Sequence, residues 1–498
     1  MRIQAVYLFT IALFIQSFAQ AQDTPPVRKV PGTAVQKLAK EISGYQSLKH
    51  SAFSFYVKNM GSGNAVADIN SEMSIPSAST MKLVTTATAT QVLGRGYRWK
   101  TRLAYSGEID SASNTLNGDL YIIGGGDPTL GSRHYNREGH ERDFLTTWAD
   151  TIAAYGIDSI NGRVIADASI YHYDGVPSGW PWGDIGNYYG AGPSGLTIFD
   201  NMCRLHFETG EQSGDSTMLL CITPHIPGLR VQNYVTSANS SKDNAYVYGA
   251  PYSKDWFVRG SIPKNKDDFQ VKASIPDPEY IAAIELDYAL EQKGVHVAYA
   301  PTTYRELSKN IPFKRPETTE IYVHRSPTLA SVMKFVNQKS INLFAEHILC
   351  QISVKRSGYG STSNGALVCM NYWKNKIDAS GLFMTDGSGL SRSNAVSAHF
   401  LVDLLVFMSN TKSADGFKES LALAGKRGTM SGIGRGTAAE GRVFGKSGTM
   451  TRMKSYAGYV DTKNGKRLAY AMIINNYNCS TSQVTKYFKA LMVKMANY

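Results

Sequence analysis

Residues 79–93 read Ser79-Thr80-Met81-Lys82 followed by LVTTATATQVL. Leu83, Val84, Ala87 and Val92 give this stretch an apolar stripe of helical period, so a helix is expected from about Ser79 to Leu93. At the start of a helix, positions i and i+3 share a face, which sets Ser79 beside Lys82. A serine hydroxyl is a weak nucleophile and needs a base next to it. A lysine can be that base when burial and nearby positive charge lower its pKa. The helix N-terminus adds positive potential for a developing oxyanion. The spacing alone is common: Ser331-Val332-Met333-Lys334 and Ser409-Asn410-Thr411-Lys412 share it, and such matches usually sit on solvated helix faces.

Two further stretches complete a pattern. Ser340-Ile341-Asn342 falls in a break between the helical runs LASVMKFVNQK and NLFAEHILCQI, a place suited to a loop facing a cleft. A second hydroxyl there can relay a proton, and an amide can orient a substrate carbonyl. Ser62-Gly63-Asn64 and Ser237-Ala238-Asn239 match by chance, and helix capping is the bland reading. Lys446-Ser447-Gly448-Thr449 offers a lysine and hydroxyls on a strand edge to hold a carboxylate, with a glycine that lets a substrate backbone come close. Lys426-Arg427-Gly428-Thr429 is a decoy. Lys446 is preferred because Val443–Lys446 runs straight into a strong hairpin, SYAGYVDTKNGKRLAYAMIINN, turning at Asn464-Gly465. Lys426 instead follows Gly425, which reads as a helix C-cap.

The remaining texture divides the chain. A helix (VQKLAKEI) and a hairpin, Ala52–Lys58 with Ala65–Ile69, precede Ser79. From about 103 to 320, short strands such as DLYIIGG, SINGRVIAD and RVQNYVTS alternate with Gly-, Pro-, Asp- and Tyr-rich loops, and few helices are expected. Helical texture returns at Ser326-Pro327 and continues through AVSAHFLVDLLVFMS. The chain closes with VTKYFKALMVKMA, a basic amphipathic helix expected to pack on the neighbouring sheet, with a membrane-surface anchor as the alternative. The fold class is α/β, one domain split by a long, mostly β insertion.

Composition bounds the function. The chain has 498 residues, 43% hydrophobic and 18% charged, which excludes a disordered chain, a coiled coil or a collagen-like repeat. Arg2, the apolar run YLFTIALFI over 7–15 and the small-x-small site Ala19-Gln20-Ala21 read as a secretory signal peptide over 1–21. Nine apolar residues are too few to span a bilayer, and no other apolar run is long enough to be a transmembrane span. The expected location is therefore beyond the inner membrane, periplasmic or associated with the cell envelope. Export argues against a nucleic-acid partner despite a net charge of +12. Five cysteines leave an odd one. Cys203 and Cys221 flank a hairpin and are one candidate disulfide pair, and buried free thiols are the other reading. No CxxC or His/Cys cluster has zinc spacing.

The three motifs, in this order and placement, resemble the penicillin-recognising serine acyltransferases with their S-x-x-K, S-x-N and K-[ST]-G elements. Ser340 lies 258 residues after Lys82. A class A β-lactamase has only a short helical segment there, whereas the insertion resembles the class C low-molecular-mass penicillin-binding proteins, the D-alanyl-D-alanine carboxypeptidase/endopeptidase family. Gly124-Gly125-Gly126-Asp127-Pro128-Thr129-Leu130, Asp386-Gly387-Ser388-Gly389-Leu390-Ser391-Arg392 and Gly179-Trp180-Pro181-Trp182-Gly183-Asp184 with Tyr189 add to the likeness. Gly124–Gly126 is not a phosphate loop, since no Gly-Lys-[Ser/Thr] follows. Gly387-Ser388-Gly389 is not a nucleophile elbow. Lys446-Ser447-Gly448 departs from Lys-Thr-Gly by one methyl.

The resemblance implies a β-lactamase-like peptidase domain over 22–102 and 321–498. An inserted domain over 103–203 and 272–320 would carry a further one over 204–271. It implies Ser79 as nucleophile toward D-Ala-D-Ala and Lys82 as its base. Ser340 is the proton relay polarised by Lys446, and Asn342 orients the peptide. The backbone N–H groups of Ser79 and Thr449 form the oxyanion hole. Lys446, Ser447 and Thr449 hold the terminal carboxylate along Gly448. Asp184, Tyr189, Leu390, Arg392 and Met450 line a pocket for a diaminopimelate side chain. Implied partners are peptidoglycan stem peptides, with β-lactam antibiotics as covalent inhibitors. No cofactor or metal is called for. A β-lactamase, or a non-catalytic β-lactam-binding protein, remains as the alternative.

Overall fold

The structure is a computed structural model describing residues 32–309 and 313–498. The signal peptide expected over 1–21 lies outside the described residues.

A six-stranded antiparallel sheet organises both ends of the chain. Its order is Ala65–Ile69, Ala52–Asn59, Arg467–Asn475, Met453–Asp461, Val443–Met450 and Ala422–Leu423. The Arg467–Asn475 strand shows why it lies in the middle. Ala469, Ala471 and Ile473 face one core, and Leu468, Tyr470, Met472 and Ile474 face another. Strand alternation with both faces apolar requires cover on both sides. On one face lie Lys82–Val92, Leu329–Lys339, Asn342–Ser357, Thr362–Lys374 and Ala398–Ser409. On the other lie Ala34–Ser43 and Thr481–Ala496. Val484, Phe488, Leu491 and Met495 of the last helix are buried, so its apolar stripe is spent on this sheet. Among the described residues no helix is long and apolar enough to cross a membrane.

Between these halves, Lys100–Tyr105 and Thr319–Arg325 pair antiparallel, Thr101 opposite His324. They complete a five-stranded sheet with Leu120–Ile123, Val164–Asp167 and Thr302–Thr303. Two three-stranded sheets lie further along: Met218–Thr223, Met202–Glu208, Phe269–Ser274, and Arg230–Ala238, Asp255–Pro263, Tyr246–Tyr248. A separate core joins Leu103 through Val297.

Several expectations need correction. Residues 78–81 form a 3-10 turn, and the α-helix itself begins at Lys82. The segment 103–320 does hold few helices among its described residues, the substantial ones being Asp143–Ala154 and Pro278–Gln292. Cys203 and Cys221 do sit on the two strands of a hairpin, but Cys203 is opposite Ala273 and Cys221 opposite His206. Both are free thiols, one buried and one exposed. Gly425 has φ +72° but follows the Ala422–Leu423 strand and not a helix.

Candidate active site

The turn that carries Ser79 is held from three sides. Ala78 sits at φ 48°, a left-handed backbone that alanine rarely adopts. Ser455 donates to the Ser77 carbonyl at 2.5 Å, and Thr80 donates to the same oxygen at 2.9 Å. Gly389 packs so closely that a Cβ there would collide with the Ala78 carbonyl. Gly448 does the same from the Val443–Met450 strand: a Cβ would lie 2.5 Å from Ser77 O and 3.0 Å from Ser79 N. What comes close to Gly448 is thus the protein's own Ser77–Ser79 turn.

Lys82 is fully buried at the base of the site. Its Nζ donates to Ser79 Oγ at 3.0 Å, Asn342 Oδ1 at 2.6 Å and Ser388 O at 2.7 Å. Burial pulls its pKa down to about 7, opposed by the charges of Glu346 and Asp386. Glu346, in the Asn342–Ser357 helix, accepts from the backbone N–H of Gly387 and Ser388 at 2.9 and 2.7 Å. Burial and the charge of Asp386 push its carboxyl up to about 8. Asp386 is satisfied by Gly389 N, Ser391 N, Asn394 Nδ2 and Trp180 Nε1. These carboxylates hold the 386–391 loop whose Ser388 carbonyl steadies the lysine.

Ser340 ends its helix at φ 64°. That left-handed residue breaks the helix and points the hydroxyl at the site. Its Oγ accepts from Lys446 Nζ at 2.9 Å, and Lys446 also donates to Ser447 O at 2.7 Å. The Lys446 pKa is well below the usual lysine range because of burial, and then because of Lys82 and Lys454. Asn342 spans the cleft, with Oδ1 on Lys82 and Nδ2 donating to the Tyr189 carbonyl at 2.8 Å.

A cleft of about 340 Å³ opens over Ser79, Ser340 and Asn342. Asp184, Tyr189, Leu390, Arg392, Thr449 and Met450 line it, so all five residues expected for the side-chain pocket gather there. Tyr189 OH donates to Asp184 Oδ1 at 3.0 Å, which fixes that carboxylate toward the cleft. The expected carboxylate holders divide. Thr449 faces the cleft and accepts from Lys454 Nζ at 2.6 Å. Ser447 is buried and bonds Thr429 at 2.7 Å, and Lys446 is occupied by Ser340.

The decoys fall elsewhere. Ser331 accepts from Tyr135 at 3.1 Å, and Ser409 donates to Val406 O, with Lys334 and Lys412 exposed. Lys426 is 58% exposed and pairs with Glu440. Its neighbour Thr429 nevertheless reaches the site through Ser447. Gly126 and Asp127 are packing residues: Asp127 accepts from Thr129 N, and Gly126 O meets His347. Sequence reasoning missed Glu346, Lys454, Thr429 and Tyr246. Only Glu346 left a trace, as a charge inside the apolar run NLFAEHILCQI.

The chain is similar along most of its length to known proteins. The D-alanyl-D-alanine carboxypeptidase of Actinomadura sp. (strain R39) is 26% identical over 525 residues, covering 99% of this chain and 90% of that protein. The D-alanyl-D-alanine carboxypeptidase DacB of Haemophilus influenzae is 23% identical, covering 85% of each. The crystal structure of penicillin binding protein 4 from H. influenzae superimposes with TM-score 0.78 at 21% identity, over 93% of this chain and all of that one. Its complex with a novel β-lactam gives 0.74 at 20% identity, over 92% and 99%. The fold is the mixed α/β fold of penicillin binding protein 4. With the D-Ala-D-Ala carboxypeptidase 3 (S13) family model matching residues 34–498, the chain belongs to that family of serine carboxypeptidases.

Proposed function

We propose that Ser79 Oγ attacks the carbonyl between two D-alanines of a peptidoglycan stem peptide, forming an acyl-enzyme that water then hydrolyses. The observation that carries this reading is the Lys82 Nζ contact to Ser79 Oγ at 3.0 Å, from a lysine whose pKa is near 7. Lys82 takes the Ser79 proton. The Ser79 and Thr449 N–H groups face the oxyanion, each worth about 3 kcal/mol. The close approach of Gly448 to Ser79 N supports that pairing. Because Lys446 donates to Ser340 Oγ, the Ser340 hydroxyl hydrogen is free to pass to the leaving amine while Ser340 takes up the proton that Lys82 removed from Ser79. The terminal carboxylate lies against Thr449, backed by Lys454, and also restores charge on Lys446 deeper in. Asp184 reads a free amine on the stem-peptide side chain, and Arg392 across the cleft suits a carboxylate on the same group.

The same scheme takes β-lactams as slow-turnover acylating inhibitors. It cleaves either terminal D-Ala or a D-Ala cross-link, according to what fills the leaving side. We place the protein beyond the inner membrane, at the cell envelope where its polymer lies. The paired strands Lys100–Tyr105 and Thr319–Arg325 support a two-module insertion between them, with 204–271 as the inner module. Incubating purified sacculi with the protein and analysing the muropeptides tests the function. Release of D-alanine or loss of cross-linked dimers is the expected result, and unchanged muropeptides overturn it. The lifetime of a labelled penicilloyl-enzyme separates this reading from a β-lactamase, which would release label quickly.

A further inference from the structure

The sheet formed by Arg230–Ala238, Asp255–Pro263 and Tyr246–Tyr248 has one face packed and one open. Val235, Val247, Val258 and Trp256 are buried on the inner side. By strand alternation the residues between them point outward. The registers place Tyr234 opposite Arg259 and Arg259 opposite Tyr246, making one row across all three strands. The next row is Gln232, Phe257 and Tyr248. A sheet face open to water ordinarily carries polar side chains. Here Tyr234 is 53% and Tyr246 47% exposed. Phe257 and Tyr248 stack at 4.7 Å, and the Arg259 guanidinium lies over Tyr234 at 5.1 Å and Phe257 at 5.4 Å. Trp182, 51% exposed, extends the surface beside Tyr248 at 6.3 Å.

This surface is continuous with the catalytic cleft, because Tyr246 lines that cleft as well. The row from Tyr246 to Tyr234 therefore starts at the cleft and leads away over two strand spacings, about 10 Å. Exposed, contiguous aromatic surface marks an interaction site. Flat rings with an arginine among them suit one class of ligand in particular. The C–H face of a pyranose stacks on an aromatic ring, while its hydroxyl and acetamido oxygens accept from a guanidinium. Stem peptides are borne on an amino-sugar polymer, so a peptide seated at Ser79 brings sugar rings to the rim of this cleft.

We propose that the outer face carrying Tyr234, Arg259, Tyr248, Phe257 and Trp182 binds the glycan strand of the peptidoglycan whose stem peptide occupies the cleft. The inference rests on the peptidase reading above and assigns it a polymer-binding surface. Peptide-free glycan strands, prepared by amidase digestion of sacculi, are the probe. The full chain should bind them in a biolayer assay, and the Tyr234→Ser/Tyr248→Ser variant should bind roughly tenfold more weakly, as expected for two lost ring contacts. The variant's KM on intact sacculi should rise by a similar factor. Its kcat/KM on a soluble D-Ala-D-Ala tripeptide should stay the same, which also shows that it is folded. Fluorescent-penicillin labelling tests acylation by itself, so failure of the catalytic reading and failure of the glycan reading are told apart. Equal glycan binding by both proteins, or none by the wild type, overturns the proposal. So does a sedimentation result in which the wild type is a dimer, the variant a monomer, and glycan affinity unchanged, since the face would then belong to a second copy.

Discussion

Lys82 has three acceptors around it, and as a neutral amine it has only two hydrogens. The Asn342 and Ser388 carbonyl oxygens can only accept, so the partner that can reverse its role is the Ser79 hydroxyl. Loss of one proton therefore turns the lone pair of Lys82 on Ser79 without moving either side chain. Acylation should rise with pH through about 7, because below it Lys82 is protonated and cannot take the serine proton. The pH profile of the labelling rate with fluorescent penicillin checks this. Because burial and Asp386 push the Glu346 carboxyl up to about 8, it is mostly neutral where Lys82 titrates, and Glu346→Gln should leave the midpoint near 7. A midpoint that moves clearly to lower pH would show that Glu346 is an anion in the working enzyme. Ser79→Ala should abolish labelling, whereas Ser331→Ala and Ser409→Ala, at hydroxyls far from the lysine pair, should label normally. Ser79, Lys82, Ser340, Asn342 and Lys446 were legible because each belongs to a short motif in a fixed order. Glu346 and Lys454 were not, since they reach the site through folding and no local spacing announces them.

At the level of the element, the Val443–Met450 strand is pressed against the nucleophile turn through Gly448. Gly448→Ala should force strand and turn apart, costing about 1–3 kcal/mol of stability. The second-order rate of penicillin acylation should fall about a hundredfold, as for a misplacement of roughly 1 Å. A variant that acylates normally would show that the turn can give way. The same strand supplies Lys446. Lys446→Ala should slow acylation at least about tenfold, because the bond from its Nζ to Ser340 Oγ is lost. Lys426→Ala, at a surface pair with Glu440, should change it little, and like behaviour of the two would reverse their assignment. The terminal hairpin was readable because its alternation and Asn464-Gly465 turn agree. The Pro278–Gln292 helix was not, because Ile281, Leu286 and Leu290 are interspersed with Glu, Asp and Tyr and form no clean stripe. Its burial comes from the strands and helix it packs between, which a local pattern does not reveal.

Across the whole molecule, the cleft draws Asp184, Tyr189 and Tyr246 from the middle of the chain and Ser340, Leu390, Arg392 and Thr449 from its second half. On the proposed reading, substrate choice is thus a property of how these parts of the chain meet. Peptides with a free side-chain amine before D-Ala-D-Ala should outperform acetylated ones by about 1–3 kcal/mol, the range for hydrogen bonds to charged groups. Asp184→Asn should erase that preference and leave penicillin acylation nearly intact. The kcat/KM values of both peptides on both proteins decide it, and equal discrimination by wild type and mutant would remove Asp184 from this role. The change of texture near 103 and 320 falls at the paired strands Lys100–Tyr105 and Thr319–Arg325. How the middle of the chain meets the rest was not legible, because it depends on single hydrogen bonds between residues far apart in sequence. One of these is the Asn342 carboxamide, with its oxygen on Lys82 and its nitrogen on the Tyr189 carbonyl. The stretch 103–320 is therefore no detachable cassette. A chimera that grafts another relative's loop in place of 188–190 keeps its catalytic residues, yet works only if a carbonyl returns to the same point. Without it the amide is held only through its oxygen on Lys82, and turnover should fall while every motif remains intact.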